Sequence, residues 1–181
     1  MTVKETALSG VLLITPRAFK DDRGLFFEAF NEARYREAGI DCGFVQDNVS
    51  HSVAGVIRGL HYQSPNPQAK LIQVLCGSVF DVAVDIRKGS PTYGKWVGEI
   101  LSDENHAQLF IPAGFAHGFA VLSAPAIVAY KCSAPYDAVG DATILWNDPD
   151  IGVDWPFGEP LLSPKDQAGV RLDDMPNDRL P

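Results

Sequence analysis

Cysteine is scarce and does not pair. Cys42, Cys76 and Cys132 are odd in number, far apart and free of any C-x-x-C spacing. That excludes a disulfide framework and points to a reducing cytoplasm. Long apolar runs are missing as well: the longest span roughly 4–8 residues, far short of the ~20 that cross a bilayer. The start, Met1-Thr2-Val3-Lys4-Glu5-Thr6, has no apolar h-region, so no signal peptide is expected. Positive charge is in deficit, with 15 Lys and Arg against 23 Asp and Glu and a net charge of −8. This excludes a general nucleic-acid surface, which needs a basic face, but leaves room for a few arginines around one anionic ligand. The phosphate loops G-x-x-x-x-G-K-[ST] and G-x-G-x-x-G are absent, and so is the nucleophile elbow G-x-S-x-G. None of the four histidines, His51, His61, His106 and His117, pairs as H-x-H or H-x-x-x-H, so no metal site is expected.

What is present is strand. A chain of 181 residues with 46% hydrophobic content predicts one domain, 1–181, with a real core. Strand-like runs occupy 11–14, 25–30, 44–51, 56–63, 70–75, 79–86, 95–101, 107–111, 118–122, 127–132 and 142–146. Turn signals recur about every 8–12 residues, the pattern of an all-β sandwich or barrel. Cys76-Gly77-Ser78, between two apolar runs, reads as a hairpin. Along 79–86, Phe80, Val82, Val84 and Ile86 share a face that predicts core; Val79, Asp81, Ala83 and Asp85 share the other, toward solvent or a polar cavity. Helix is sparse. One short helix is expected over 31–38 with Asn31 as N-cap, and another start at Ser163-Pro164. The polar end, 173–181, reads as a loose tail.

The chemistry centres on Val56-Ile57-Arg58-Gly59-Leu60-His61-Tyr62-Gln63, with Lys70 after a proline-rich turn. A neutral histidine is a base near pH 7, and an ammonium beside it stabilises an oxyanion. The pair points to proton abstraction next to a carbonyl, although a lone strand histidine is more often structural. Strict alternation puts Arg58 and His61 on opposite faces, so both line one cavity only if Gly59 marks a bulge or bend. A mid-strand arginine calls for a partner, either a phosphate or carboxylate ligand or an internal acid. His117, beside Gly118, is a second site candidate or a histidine at the core edge. Tyr130 is a core tyrosine by its apolar neighbours, or a proton donor if it faces a polar cavity.

Taken together, several segments resemble the dTDP-4-dehydrorhamnose 3,5-epimerase family of cupin-type sugar-nucleotide epimerases. They are Asp22-Arg23-Gly24-Leu25-Phe26-Phe27-Glu28, Phe44-Val45-Gln46-Asp47-Asn48, Arg58-Gly59-Leu60-His61, Phe80 to Arg87, Ile111 to Phe119, Tyr130-Lys131 and Ile144-Leu145-Trp146-Asn147-Asp148, in order from about Val11 to Leu172. The resemblance implies an all-β, cupin-type jelly-roll β-barrel with a few short helices. It also implies a homodimer, no metal or other cofactor, and a dTDP-sugar substrate inverted at C3 and C5 beside a C4 ketone. It gives His61 as base, Tyr130 as proton donor, Asp166 as the acid pairing with the histidine, and Lys70 as the residue near the C4 oxygen. Arg23, Phe26, Glu28, Gln46, Asn48, Arg58, His117, Tyr136, Asp141 and Lys165 match substrate-binding positions. Asp141 stands where members of the family often carry glutamate. Competing expectations are a C3-only or C5-only epimerase of a related sugar, a non-catalytic sugar-nucleotide binder, and a metal-dependent cupin oxygenase.

Overall fold

A computed structural model describes residues 1–181. Eleven strands and two short helices follow in the order β1 Thr2–Glu5, β2 Leu12–Thr15, β3 Ala18–Asp21, β4 Gly24–Phe27, α1 Glu32–Glu37, β5 Gln46–Ser52, β6 Ile57–Gln63, β7 Lys70–Asp85, β8 Trp96–Ser102, β9 Gln108–Ile111, β10 Phe115–Cys132, β11 Asp141–Thr143 and α2 Pro164–Gln167. The architecture is all-β, as the strand pattern predicts, and takes the jelly-roll form that the resemblance implies.

The expected hairpin at Cys76-Gly77-Ser78 does not form. β7 runs through it as one strand of 16 residues, antiparallel to the 18 residues of β10 along its length. The register slips between Val121 and Val128, opposite Cys76 and Ser78, so both strands bend at one place. Gly77 has φ +77° and lies against the bend of β10; a Cβ there would sit 2.5 Å from the Pro125 carbonyl oxygen. Glycine thus serves as a corner rather than a turn.

This long ribbon makes two sheets out of two strands. The Lys70–Gln73 end of β7 pairs with β9, which continues to β2 and β1, while the Ala126–Cys132 end of β10 pairs with β5. The other half of β7 pairs with β8, and the His117–Ala120 stretch of β10 with β6, which β11 edges. Between the sheets lies a core that includes Ile72, Val79, Ala83, Leu109, Phe115, Phe119 and Val128. Asp81 shares that interior face, fully buried. The opposite face of β7, with Val82, Val84 and Ile86, is equally buried, beneath Ile151, Leu172, Met175 and Leu180. Neither face of 79–86 therefore meets solvent: the outer one is roofed by the C-terminal segment.

That segment also corrects the expectation of a loose tail. Residues 172–174 and 177–179 form 3-10 turns, and Leu172, Met175 and Leu180 are buried. The two helices form as their caps predict. The Arg34 amide donates to the Asn31 side chain at 3.3 Å, and the Asp166 amide to Ser163 Oγ at 3.1 Å. Two strands without a clear signal, β1 and β3, are short and wholly exposed, so no burial pattern marks them. β3 and β4 form a hairpin outside the main sheet.

Candidate active site

Alternation decides which side chains enter the space between the sheets. On β10, Ala126 and Val128 face the core, so Tyr130 and Cys132 follow them inward. Lys70 shares the face of Ile72 on β7, and Gln46 and Asn48 lie opposite Cys132 and Tyr130. On β6, Leu60 and Tyr62 pack on the outer cluster, leaving His61 to point in. The apolar core fills one end of the interior, and these polar side chains line a cavity of about 190 Å³ at the other. His61, Lys70, Tyr130, Gln46, Asn48, Tyr136, Asp141 and Lys165 all border it. His61 and Tyr130 come from different sheets.

The expected irregularity at Gly59 is present, although Arg58 stays exposed and does not border the cavity that His61 lines. Gly59 has φ +117°, and the β6–β10 register shifts between His117 and Phe119, opposite it. A Cβ on Gly59 would approach Gly118 Cα to 2.5 Å, so only glycine fits. The irregularity carries Arg58 to the face of Ser52, whose hydroxyl accepts from its Nε at 3.0 Å. Against burial and Cys132, which push the Tyr130 hydroxyl up, the positive charge of Arg58 works to lower it.

His61 Nε2 lies 2.5 Å from Asp166 Oδ1 on α2. Asp166 is 2% exposed and also accepts from Ser163 Oγ at 2.7 Å and the Gly59 amide at 3.3 Å. Burial works to raise this carboxyl, but the bonds from His61, Ser163 and Gly59 outweigh it and hold it below its usual range. Being ionised, it can only accept, so Nε2 carries the proton and Nδ1 keeps the free lone pair. Burial, then Lys165 and Lys70, hold His61 below its ordinary value against the pull of Asp166. The imidazole is therefore neutral at pH 7.

Burial likewise pushes the Lys70 ammonium down, with Cys132, Asp81 and Asp141 countering it. Its one hydrogen bond, to the His61 carbonyl oxygen, is long at 3.5 Å. The group is poised to meet a negative oxygen. Tyr130 is pushed up, first by burial and then by Cys132, and stays protonated. At the mouth, Asp141 accepts from the Tyr136 hydroxyl at 3.0 Å and pairs with Lys165 at 2.5 Å. Tyr136 donates its amide to Gln46 Oε1 at 2.8 Å.

Not every expected residue joins this group. His117 is buried deeper, with Nε2 at 3.0 Å from Asp81 Oδ2, beside Phe119. Arg23 and Phe26 sit on the β3–β4 hairpin, where Phe26 is 70% exposed, and line a separate surface hollow. Glu28 pairs with Arg34 at 2.9 Å, also away from the cavity. Conversely, the structure brings in Ser163 and Asp81. The sequence marks Ser163 only as a helix cap, and Asp81 only as an acid on the strand face expected toward solvent or a polar cavity. No three His, Cys, Asp or Glu side chains converge as a metal site would require.

Comparison with known proteins identifies the family. Residues 5–174 match the family described as dTDP-4-dehydrorhamnose 3,5-epimerase. A dTDP-4-dehydrorhamnose 3,5-epimerase from Methanothermobacter thermautotrophicus is 51% identical over 95% of each chain. Among solved structures, the dTDP-6-deoxy-D-glucose-3,5-epimerase of Legionella pneumophila, in complex with dTDP-4-keto-L-rhamnose, superposes with a TM-score of 0.97 at 52% identity, covering 99% of this chain and 97% of that one. A dTDP-4-dehydrorhamnose 3,5-epimerase from Bacillus anthracis, with TDP and PPi bound, gives 0.92 at 48% identity, over 94% and 98%. With this match along nearly its whole length, on a cupin-type jelly roll, the chain belongs to the dTDP-4-dehydrorhamnose 3,5-epimerase family.

Proposed function

We propose that the chain epimerises dTDP-4-dehydro-6-deoxy-D-glucose at C3 and C5 to dTDP-4-dehydro-L-rhamnose, a step of dTDP-L-rhamnose biosynthesis. The C4 ketone acidifies the protons at C3 and C5. His61 Nδ1 takes one of them while Asp166 fixes the tautomer and stabilises the imidazolium that forms. The enolate oxygen meets the Lys70 ammonium, whose charge counts for more because the site is largely shielded from water. Tyr130 returns a proton to the opposite face of the carbon. Exchange with solvent then reprotonates Tyr130 and deprotonates His61. The observation that carries this reading is the placement of base and acid on different sheets, facing one cavity. A single group would return the proton to the face it came from.

Arg58, Lys165, Gln46, Asn48, Tyr136 and Asp141 are read as substrate contacts, with the cations serving the diphosphate. Arg58 and Lys165 are the two cations among them, in a chain of net charge −8. The chain is further read as a cytoplasmic homodimer. The exposed Phe19, Leu25 and Phe26 on the outlying hairpin support a second copy covering them, and would let Arg23 and Phe26 reach the partner's cavity. No helix is long and apolar enough to cross a membrane.

The test is incubation with dTDP-4-dehydro-6-deoxy-D-glucose in D2O, with NMR of C3 and C5. Wild type is expected to wash deuterium into both positions and His61→Ala into neither. Normal exchange in that variant would remove His61 as the base, and exchange at one carbon alone would make the chain a mono-epimerase.

A further inference from the structure

We propose that Arg179, in the C-terminal 3-10 turn, is a positioning residue that fixes the cavity wall carrying Tyr136 and Asp141. The inference rests on the epimerase reading for its effect on rate, and on geometry alone for its effect on the wall. β11 is the outer edge of its sheet, pairing only with β6 through Asp141, Ala142 and Thr143. An edge strand leaves every second carbonyl without a partner in the ladder. Arg179 supplies that partner at the start of the strand and in the turn before it. Its Nη2 donates to the Asp141 carbonyl at 3.0 Å and its Nη1 to the Val139 carbonyl at 2.9 Å, two residues earlier. A planar guanidinium spans such a pair as a single ammonium cannot.

The far side of this wall is the cavity. Asp141 turns its carboxylate inward to Tyr136 and Lys165. The loop between Cys132 and β11 is held from within by Gln46, on the Tyr136 amide, and by Gln63, on the Asp137 amide at 2.9 Å. Arg179 is the clamp from outside. Its own place is set by Leu180, buried in the outer cluster, and by its amide, which donates to the Pro176 carbonyl at 2.9 Å. The C-terminal turn thus ties a site residue to the roof of the barrel without touching substrate.

Two measurements test this. In hydrogen–deuterium exchange, Arg179→Ala is expected to speed exchange in residues 133–141 by about fivefold or more while β5 stays protected. Unchanged exchange there overturns the clamp whatever the protein's substrate. In kinetics, Arg179→Ala is expected to lower kcat/KM about tenfold, consistent with losing a charge-assisted bond. Arg179→Lys should recover part of it, with a melting temperature within a few degrees of wild type. In an Asp141→Ala background the same substitution should change kcat/KM less than about twofold, because the group it positions is gone. An undiminished loss in that background refutes action through Asp141. A wild type that exchanges no substrate proton refutes the epimerase reading instead and leaves the exchange result to judge the clamp.

Discussion

Replacing Asp166 by asparagine probes the base without changing its shape. Oδ1 accepts from His61 Nε2 at 2.5 Å and Oδ2 from Ser163 at 2.7 Å, so an isosteric amide must place NH2 toward one of them. If the amide oxygen faces His61, the bond survives without its charge. Charge-assisted bonds contribute about 1.5–3 kcal/mol against about 0.5–1.5 for neutral ones, a difference worth about tenfold in rate. If the NH2 faces His61, Nε2 must become the acceptor and the proton moves to Nδ1, the atom that takes the substrate proton; the full ~10²–10⁴-fold of general-base catalysis is then at risk. The expected kcat loss is therefore about 10²-fold, between the two arrangements. The pH profile carries the sign. The carboxylate pulls the His61 pKa up against burial and against Lys165 and Lys70, so removing its charge lets the pKa fall further. The acid limb of kcat/KM, already below the ordinary histidine value of ~6.5, should move to lower pH even as the plateau drops. Deuterium wash-in at C3 and C5 followed by NMR from pH 4.5 to 8 reads both. An unchanged plateau, or an acid limb that moves up, refutes the pairing as the source of the base.

Three further substitutions follow from the geometry. Tyr130→Phe should keep proton abstraction and lose inversion, so exchange by NMR continues while product forms about 10²-fold more slowly; normal inversion would make another group the acid. Lys70→Met should lower kcat/KM by about 10²–10³ yet leave the melting temperature unchanged or raised, because an ammonium 9% exposed with one long hydrogen bond is itself costly to bury; a melting temperature lowered by many degrees would give Lys70 a structural role. Gly59→Ala should cost at least about 1–3 kcal/mol in urea denaturation, since it adds left-handed strain to a Cβ 2.5 Å from Gly118 Cα; wild-type stability would refute the close packing of β6 on β10.

Local signals survived into the structure wherever they depended on neighbours in sequence. The caps Asn31 and Ser163 work through an amide three residues away, and the irregularity at Gly59 was legible because Arg58 and His61, three residues apart, could share one cavity only across a bend. What depended on distant partners was not legible. Cys76-Gly77-Ser78 has the chemistry of a turn, and only the matching bend of β10, some 50 residues later, makes it a corner. The 173–181 segment looks polar because its few apolar residues, Met175 and Leu180, are spaced to meet a sheet formed a hundred residues earlier. Asp166 lies 105 residues from His61, and family resemblance alone linked them. Arg179 bonds backbone carbonyls, which carry no residue identity for a sequence to display.

The shared ribbon has a consequence for how the molecule comes apart. A sandwich of separate sheets can lose one and keep the other, but here each sheet borrows half of β7 and half of β10. Peeling either sheet drags the same two backbones out of its neighbour. The chain is thus built to unfold as one cooperative unit, and the cavity between the sheets, which exists only while both are present, should vanish in that same transition.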